Sequence, residues 1–309
     1  MHMRALTLVL CLAPLAGQKI APIRVEVNLV NVGFTVRDAA GRLAGNLSQD
    51  DFEVLEDGVA QKISFFARSA EVPLTLGLIL DVSGSQERFL KPHHRHLDAF
   101  LQQVLGPADR AFLLCFGNHL RLVSDFTPDR HQILESLKEF EHGNHRFPEI
   151  APDDTRFAGT AFYDALYYAT TQKLSAVERG RRALIMFSDG EDNSSEHHLL
   201  DAIEAAQTAD ARIYCLRYTH RKNGRWSSRN KYGKSVMARI ARDTGASDFD
   251  VETGEIKTWF GAIAEELRSS YELAYTSTNP DRDGSFRKLT IRPKQPGLTV
   301  RAKSGYFAR

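Results

Sequence analysis

Residues 73–270 alternate long apolar runs with stretches in which apolar residues recur at helical spacing. The first run, Leu74–Leu80, is almost entirely apolar, as expected of a strand that is buried on both faces of a sheet. Further strands are predicted at 111–116, 120–124, 183–187, 212–218 and 248–251, and helices at 97–105, 129–140, 160–173, 199–209, 235–243 and 256–270. This alternation predicts an α/β fold, a doubly wound and mostly parallel sheet with helices on both faces.

The segments on either side of this region have the alternating pattern of half-buried strands. Runs at 24–36, 52–55 and 61–66 precede it, with Asp57-Gly58 between the last two as a hairpin signal. Runs at 271–276, 288–292 and 298–302 follow it. Because three strands alone are marginally stable, we predict that both ends combine into one smaller β-sandwich. Two separate β appendages are the alternative.

The N-terminus has the features of a secretory signal peptide. Arg4 precedes a short apolar run that ends near Ala16 and Gly17, whereas a bilayer anchor would need about 20 apolar residues. A buried N-terminal strand is the alternative. The predicted organisation is a signal peptide at 1–17, an N-terminal β segment at 18–70, an α/β domain at 71–270 and a C-terminal β segment at 271–309. We expect an exported protein, periplasmic or extracellular, with no integral membrane segment after signal removal.

The charge balance argues against a nucleic-acid partner. Lys and Arg number 40 against 39 Asp and Glu, so the formal net charge of +1 gives no global positive field. The two cysteines outside the signal peptide, Cys115 and Cys215, lie within apolar strand-like runs. We therefore predict that both are buried and unreactive.

Oxygen-bearing side chains follow two strands that should be neighbours in the sheet. If the strand order is 3-2-1-4-5, the first and fourth strands flank the switch point where ligands bind. The predicted site consists of Asp81, Ser83 and Ser85 after the first strand, Asp189 after the fourth, and Thr160 at the start of a helix. Oxygen ligands suit hard divalent cations such as Mg²⁺, and hydroxyl ligands leave part of the ion's charge for another molecule's carboxylate to compensate. Ordinary turn and helix-cap residues are the alternative interpretation.

This five-residue pattern resembles the metal-ion-dependent adhesion site of von Willebrand factor A domains. The resemblance implies that hydroxyls contact the metal, that the aspartates often act through water, and that an acidic side chain of a partner fills the open position. It implies Mg²⁺ as the cofactor, with Mn²⁺ and Ca²⁺ as alternatives. Gln86 stands where the family commonly has a hydrophobic residue, at a position that is not a ligand.

The flanks resemble a bacterial group of exported A-domain-related proteins, known especially from Acidobacteria-like genomes. The matching stretches are 28–32, 51–58, 284–288 and 305–307. The role of that group is poorly defined, so the resemblance implies architecture more than function.

Several other polar stretches admit two interpretations. Glu191 and Asp192 could hold a second cation or belong to a solvated loop. The cluster His93, His94 and His96 lacks the i, i+4 spacing of a helical metal site, and 279–284 lacks the final Glu of a calcium loop and is predicted to be a hairpin turn. The basic segment 220–231, part of a predicted loop at 220–234, should lie on the metal face, either to contact an acidic partner or as a flexible solvated loop.

Three functions are compatible with these features. The first is a secreted, non-enzymatic binding or adhesion module whose bound cation captures an Asp or Glu carboxylate of a protein partner. The second is a metal-dependent hydrolase, with Glu191 or Asp192 as the general base. The third is a structural envelope scaffold. Neither a nucleophile elbow nor a phosphate-binding loop is present in the sequence, which favours the first.

Overall fold

The structure is a computed structural model that describes residues 29–83, 97–117, 119–143, 146–151, 159–218 and 226–309. Several predictions lie outside these residues: the signal peptide at 1–17, Ser85, the histidine cluster at 93–96 and residues 220–225 of the basic segment. Within the described ranges, we find no helix whose length and apolar character would let it cross a membrane.

The strands and helices largely follow the predicted pattern. The strands are β1 Leu29–Arg37, β2 Phe52–Glu56, β3 Val59–Gln61, β4 Ile63–Arg68, β5 Leu74–Asp81, β6 Arg110–Phe116, β7 Leu120–Thr127, β8 Glu149–Ala151, β9 Arg181–Ser188, β10 Ala211–Arg217, β11 Asp248–Asp250, β12 Tyr271–Thr276, β13 Phe286–Pro293, β14 Thr299–Ala302 and β15 Gly305–Phe307. The helices are α1 at 97–104, α2 Arg130–Glu141, α3 Phe162–Tyr168, α4 Leu199–Thr208, α5 Ser228–Asp243 and α6 Ile256–Arg268.

The central sheet has seven strands in the order β11-β10-β9-β5-β6-β7-β8. Only β7 is reversed: it pairs antiparallel with both its neighbours, β6 and β8, and the other strands all run in one direction. All residues of β5 are buried because helices cover both faces of the sheet. Helices α1, α2 and α6 pack on one face, and α3, α4 and α5 on the other. The predicted doubly wound sheet and its 3-2-1-4-5 order are confirmed, whereas the three-residue strand β8 was not predicted.

The two ends of the chain form one sandwich, as predicted. One of its sheets has the order β14-β1-β12-β4 and the other β15-β13-β2-β3, so each sheet takes strands from both ends of the chain. Aromatic side chains fill the space between them, with Phe34 packed edge-on against Phe52 and stacked on Tyr271. The connectivity therefore places the α/β region as an insertion between the two halves of the sandwich.

A buried carboxylate joins the two sheets of the sandwich. Glu56 accepts hydrogen bonds from Tyr275 Oη at 2.8 Å and Tyr306 Oη at 2.9 Å, and it pairs with Arg287 at 3.3 Å. Arg287 also donates to the carbonyl of Asn279 at 2.7 Å. The loop at 279–284 thus wraps around Arg287 and connects strands of different sheets. The prediction of a hairpin turn there is wrong, because β12 and β13 do not pair with each other.

The larger differences from the predicted element boundaries lie at β3 and β4, at α5 and at α3. The single run predicted at 61–66 divides, because β3 pairs with β2 while β4 crosses to pair with β12 in the other sheet. Helix α5 begins at Ser228 rather than 235, since the Ser227 hydroxyl accepts from Asn230 N at 3.0 Å and caps a helix start that carries no apolar pattern. The helix predicted at 160–173 is α-helical to Tyr168 and continues as a π-helix, Ala169–Leu174.

Both cysteines are buried and unpaired by a disulfide, as predicted. Burial raises the pKa of the Cys115 and Cys215 thiols above their ordinary value. Neither thiol therefore has the thiolate character that reactivity requires.

Candidate metal centre

Two buried carboxylates lie at the carboxyl edge of adjacent strands. Strands β5 and β9 are parallel neighbours, and Leu80 of β5 lies opposite Phe187 of β9. Asp81, the last residue of β5, therefore lies beside the carboxyl end of β9. Asp189 follows β9 directly. The exposed fraction is 3% for Asp81 and 7% for Asp189. The sheet thus brings both predicted aspartates to one edge, as the switch-point argument requires.

Hydrogen bonds fix the orientation of the Asp81 carboxylate. Its Oδ1 accepts from the Ser83 amide at 2.9 Å and from Ser83 Oγ at 2.5 Å, while Oδ2 accepts from Ser188 Oγ at 2.7 Å. Ser188 is fully buried, and its hydroxyl also accepts from the Gly190 amide at 3.1 Å. Sequence reasoning missed Ser188 as a site residue, although its place directly before Asp189 is a usable signal.

The electrostatics of this edge favour a cation. Burial raises the pKa of Asp81 to about 6, hydrogen bonds from Ser188 and Ser83 oppose that shift, and the charge of Asp189 adds to it. Burial also raises the pKa of Glu191, with a further contribution from Asp189. The ionised carboxylates are therefore poorly solvated at this edge, and a bound divalent cation would stabilise their negative charge.

Thr160 is held at the same edge by its backbone. Its amide donates to Asn193 Oδ1 at 2.7 Å, and the Asn193 amide donates back to the Thr160 carbonyl at 3.1 Å. The next residue, Ala161, donates to the Gly117 carbonyl at 2.8 Å, and Gly117 lies beside the backbone of Ser83. These contacts connect the Thr160 segment to the loops after both β5 and β9. Sequence reasoning did not single out Asn193.

The acidic residues beyond Asp189 secure the loop. Asp192 Oδ1 accepts from the Phe162 amide at 3.0 Å and from Ser195 Oγ at 2.5 Å, which attaches the loop to the first turn of α3. Asp164 on α3 accepts from the Glu196 amide at 3.0 Å and from His197 Nδ1 at 2.8 Å.

Across the part of the chain that the structure describes, no three His, Cys, Asp or Glu side chains are grouped to hold a metal. Hydroxyl groups such as that of Ser83 are the further oxygen ligands that the described residues offer at this edge.

Helix α5 packs directly on the Asp189 loop. Gly190 has φ +77°, and a Cβ on it would stand 2.6 Å from the Gly233 carbonyl oxygen. The approach is close from the other side as well, since a Cβ on Gly233 would overlap the Asp189 carbonyl oxygen. The first turns of α5 consequently lie next to the candidate centre and include Tyr232, which is 59% exposed.

Comparisons with known proteins show likeness at the level of fold. No family model matches the chain, and no curated protein matches it. BatB from Bacteroides thetaiotaomicron is 19% identical over 63% of this chain and 97% of its own, with a TM-score of 0.44. Proximal thread matrix protein 1 from the mussel byssus, with a zinc-occupied MIDAS motif, is 12% identical over 69% of this chain and 50% of its own (TM-score 0.49).

The vWF domain of the pilus tip protein Mfa5 from Porphyromonas gingivalis is also similar. It is 11% identical over 63% of this chain and 95% of its own, with a TM-score of 0.43. All three TM-scores lie below 0.5, so these likenesses assign no family to this chain. A likeness of this strength carries no information about ligands.

Proposed function

We propose that this chain is an exported von Willebrand factor A-type binding module that holds one divalent cation and uses it to capture a carboxylate of a protein partner. The observation that supports it most is the buried pair Asp81 and Asp189, with the Ser83 hydroxyl held against Asp81. This combination places two carboxylates and a hydroxyl, the oxygen groups that a hard divalent cation prefers as ligands, at one edge of the sheet.

The proposed ligand set is the one that the sequence predicts. Asp81, Ser83, Ser85, Thr160 and Asp189 would hold the ion, with Ser85 outside the described residues. Mg²⁺ fits this set best, and Mn²⁺ and Ca²⁺ are the alternatives. When bound, the cation supplies a positive charge with an open coordination position that an Asp or Glu of the partner can occupy. Export to the periplasm or cell exterior rests on the predicted signal peptide.

The surroundings favour binding over hydrolysis. A hydrolase would need a general base near the ion, and the candidates were Glu191 and Asp192. Asp192 already accepts one hydrogen bond from the Phe162 amide of α3 and one from Ser195 Oγ of its own loop. Glu191 is 3.4 Å from Asn230 Nδ2 on α5. Both carboxylates are placed to stabilise the loop, so we favour the non-enzymatic module.

The surface beside the site fits an acidic partner. Arg229, Lys231 and Tyr232 are all exposed on the first turns of α5. Arg217 and Lys234 both lie over the ring of Trp226, 5.2 Å and 4.8 Å from its centroid. Cationic and aromatic groups would thus surround a carboxylate that reaches the metal.

The direct test is a pull-down from the native cell envelope with and without EDTA. We expect EDTA to release the partner, and Ser83→Ala and Thr160→Ala to prevent its capture without unfolding the protein. Ser64→Ala is the matched control, because its hydroxyl donates to the Ala274 carbonyl within the sandwich. Identical partners in the presence and absence of EDTA would refute the metal bridge.

Asn193 provides a second test that leaves the proposed ligands intact. Asn193→Ala removes the acceptor that holds the Thr160 amide, so we expect divalent-cation affinity to fall about tenfold. Asn193→Asp keeps that acceptor and should retain affinity close to the wild-type value. Isothermal titration with Mg²⁺ and Mn²⁺ measures both, and equal affinities of the alanine variant and the wild type would contradict the role given to Asn193.

A further inference from the structure

A cavity of about 300 Å³ lies at the opposite end of the central sheet from the candidate metal centre. It opens between the starts of β9 and β10 and strands β1 and β12 of the sandwich. Four arginines contribute to its wall: Arg179, Arg181, Arg182 and Arg212. The wall also contains three acidic residues, Glu178, Asp210 and Glu272. The cavity therefore lies where the α/β layer meets the sandwich, and its wall is rich in guanidinium groups.

The charges of this wall do not cancel. Asp210 is paired with Lys303, and Glu178 lies on the exposed rim beside Arg179. Of the acidic residues in the wall, that leaves Glu272, whose Oε1 is 3.7 Å from Arg212 Nη2. Burial acts to lower the pKa of Arg212, but Tyr214, Glu272 and Glu266, which lies outside the wall, raise it above its ordinary value. Burial lowers the pKa of Arg181, and the charge of Arg212 lowers it further, because the two cations repel each other. The arginines of the wall therefore outnumber its carboxylates, and Arg181 and Arg212 repel each other in a poorly solvated place.

The hydrogen-bond donors are also in excess. Arg212 is 4% exposed and donates through Nη2 to Ser270 Oγ at 3.0 Å. Its Nη1 is buried and has no hydrogen-bond partner among the residues that the structure describes, and the same is true of Arg182 Nε. Buried guanidinium donors are normally satisfied, and these two atoms have no surface open to the cavity, so an acceptor in the cavity would reach them after a small shift of the side chains.

We propose that this cavity binds a small oxyanion, a phosphate, a sulfate or the carboxylate of a short organic acid. The arginines supply both the attraction and the donor geometry that such groups accept. The volume lies at the lower end of small-molecule sites and leaves room for a compact ligand only. A bound anion would connect the starts of β9 and β10 to the sandwich, and it is independent of the proposed metal.

The test is thermal unfolding of the full chain in EDTA, so that the proposed cation plays no part. Phosphate, sulfate, acetate and succinate are titrated against chloride at matched ionic strength. We expect a saturable rise in Tm for the wild type, which Arg212→Gln abolishes and Arg179→Gln shifts to severalfold higher anion concentration. Arg292→Gln is the control, since this arginine is 64% exposed on β13 and does not line the cavity.

General salt effects of sulfate and phosphate act on all variants alike and do not saturate, so the difference between variants isolates the site. Equal responses of the wild type and Arg212→Gln would overturn the proposal and leave a water-filled cavity. If Arg212→Gln does not fold, calorimetric titration of the wild type and Arg179→Gln decides. Absence of saturable heat in the wild type would then refute the site. The most effective of the four anions identifies the class of ligand.

Discussion

Asp81→Asn is expected to abolish the stabilisation of this protein by divalent cations while leaving the metal-free fold at least as stable as the wild type. Cations that bind only the folded state add about 2.7 kcal/mol at a concentration of 100 times Kd. The variant should lose that increment because a neutral amide cannot replace the buried carboxylate. It can still form the local hydrogen bonds, accepting from Ser83 and donating to Ser188.

The metal-free prediction follows from the pKa of Asp81. Folding raises that pKa from 3.8 to about 6, so the folded state binds the proton more tightly than the unfolded state. Ionisation of Asp81 therefore destabilises the fold increasingly as the pH rises from about 4 to about 6, and by a constant amount above that. The shift corresponds to about 3 kcal/mol, which is the upper limit of what Asp81→Asn can recover at pH 7.

Urea unfolding at pH 4 and pH 7, with EDTA or with Mg²⁺, measures both effects. Asp192→Asn is the matched control. Asp192 is a carboxylate of the same loop and lies outside the proposed ligand set, and its amide form keeps the acceptor for the Phe162 amide. It should retain the increment from Mg²⁺. An Asp81→Asn variant that Mg²⁺ stabilises as much as the wild type would contradict the proposed centre.

Gly233→Ala is expected to destabilise the fold by about 2 kcal/mol and to weaken cation binding tenfold or more. The new methyl group would overlap the Asp189 carbonyl oxygen, so either α5 or the Asp189 loop must move. The steric cost exceeds the gain of about 0.5–1 kcal/mol that alanine usually brings to a helix. Displacing the loop also shifts a proposed ligand, and this couples stability to metal affinity.

Gly261→Ala is the matched control for that substitution. Gly261 lies inside α6, and a Cβ on it would meet no atom within 4 Å. The same chemical change should therefore stabilise the protein by about 0.5–1 kcal/mol and leave cation affinity unchanged. Thermal unfolding and calorimetry compare the two variants, and a stabilising Gly233→Ala would show that the helix does not constrain the loop.

The sequence by itself determined the layers of the fold and the place of the candidate site. Apolar runs such as Leu74–Leu80 are typical of strands buried on both faces, and such strands require helices to cover those faces. Strand ends rich in Asp and Ser mark the edge where ligands bind. Local periodicity and composition suffice for these features because each depends on residues that are near one another in the chain.

Tertiary structure decided what surrounds the site. The close approach of Gly190 and Gly233, the support of Thr160 by Asn193, and the hydrogen bond from Ser188 to Asp81 join residues that are distant in sequence. No local pattern encodes such contacts, because they exist only once β5 and β9 lie side by side. The arginine-lined cavity has the same origin, since packing of the sandwich against the sheet brings Glu272 to Arg212.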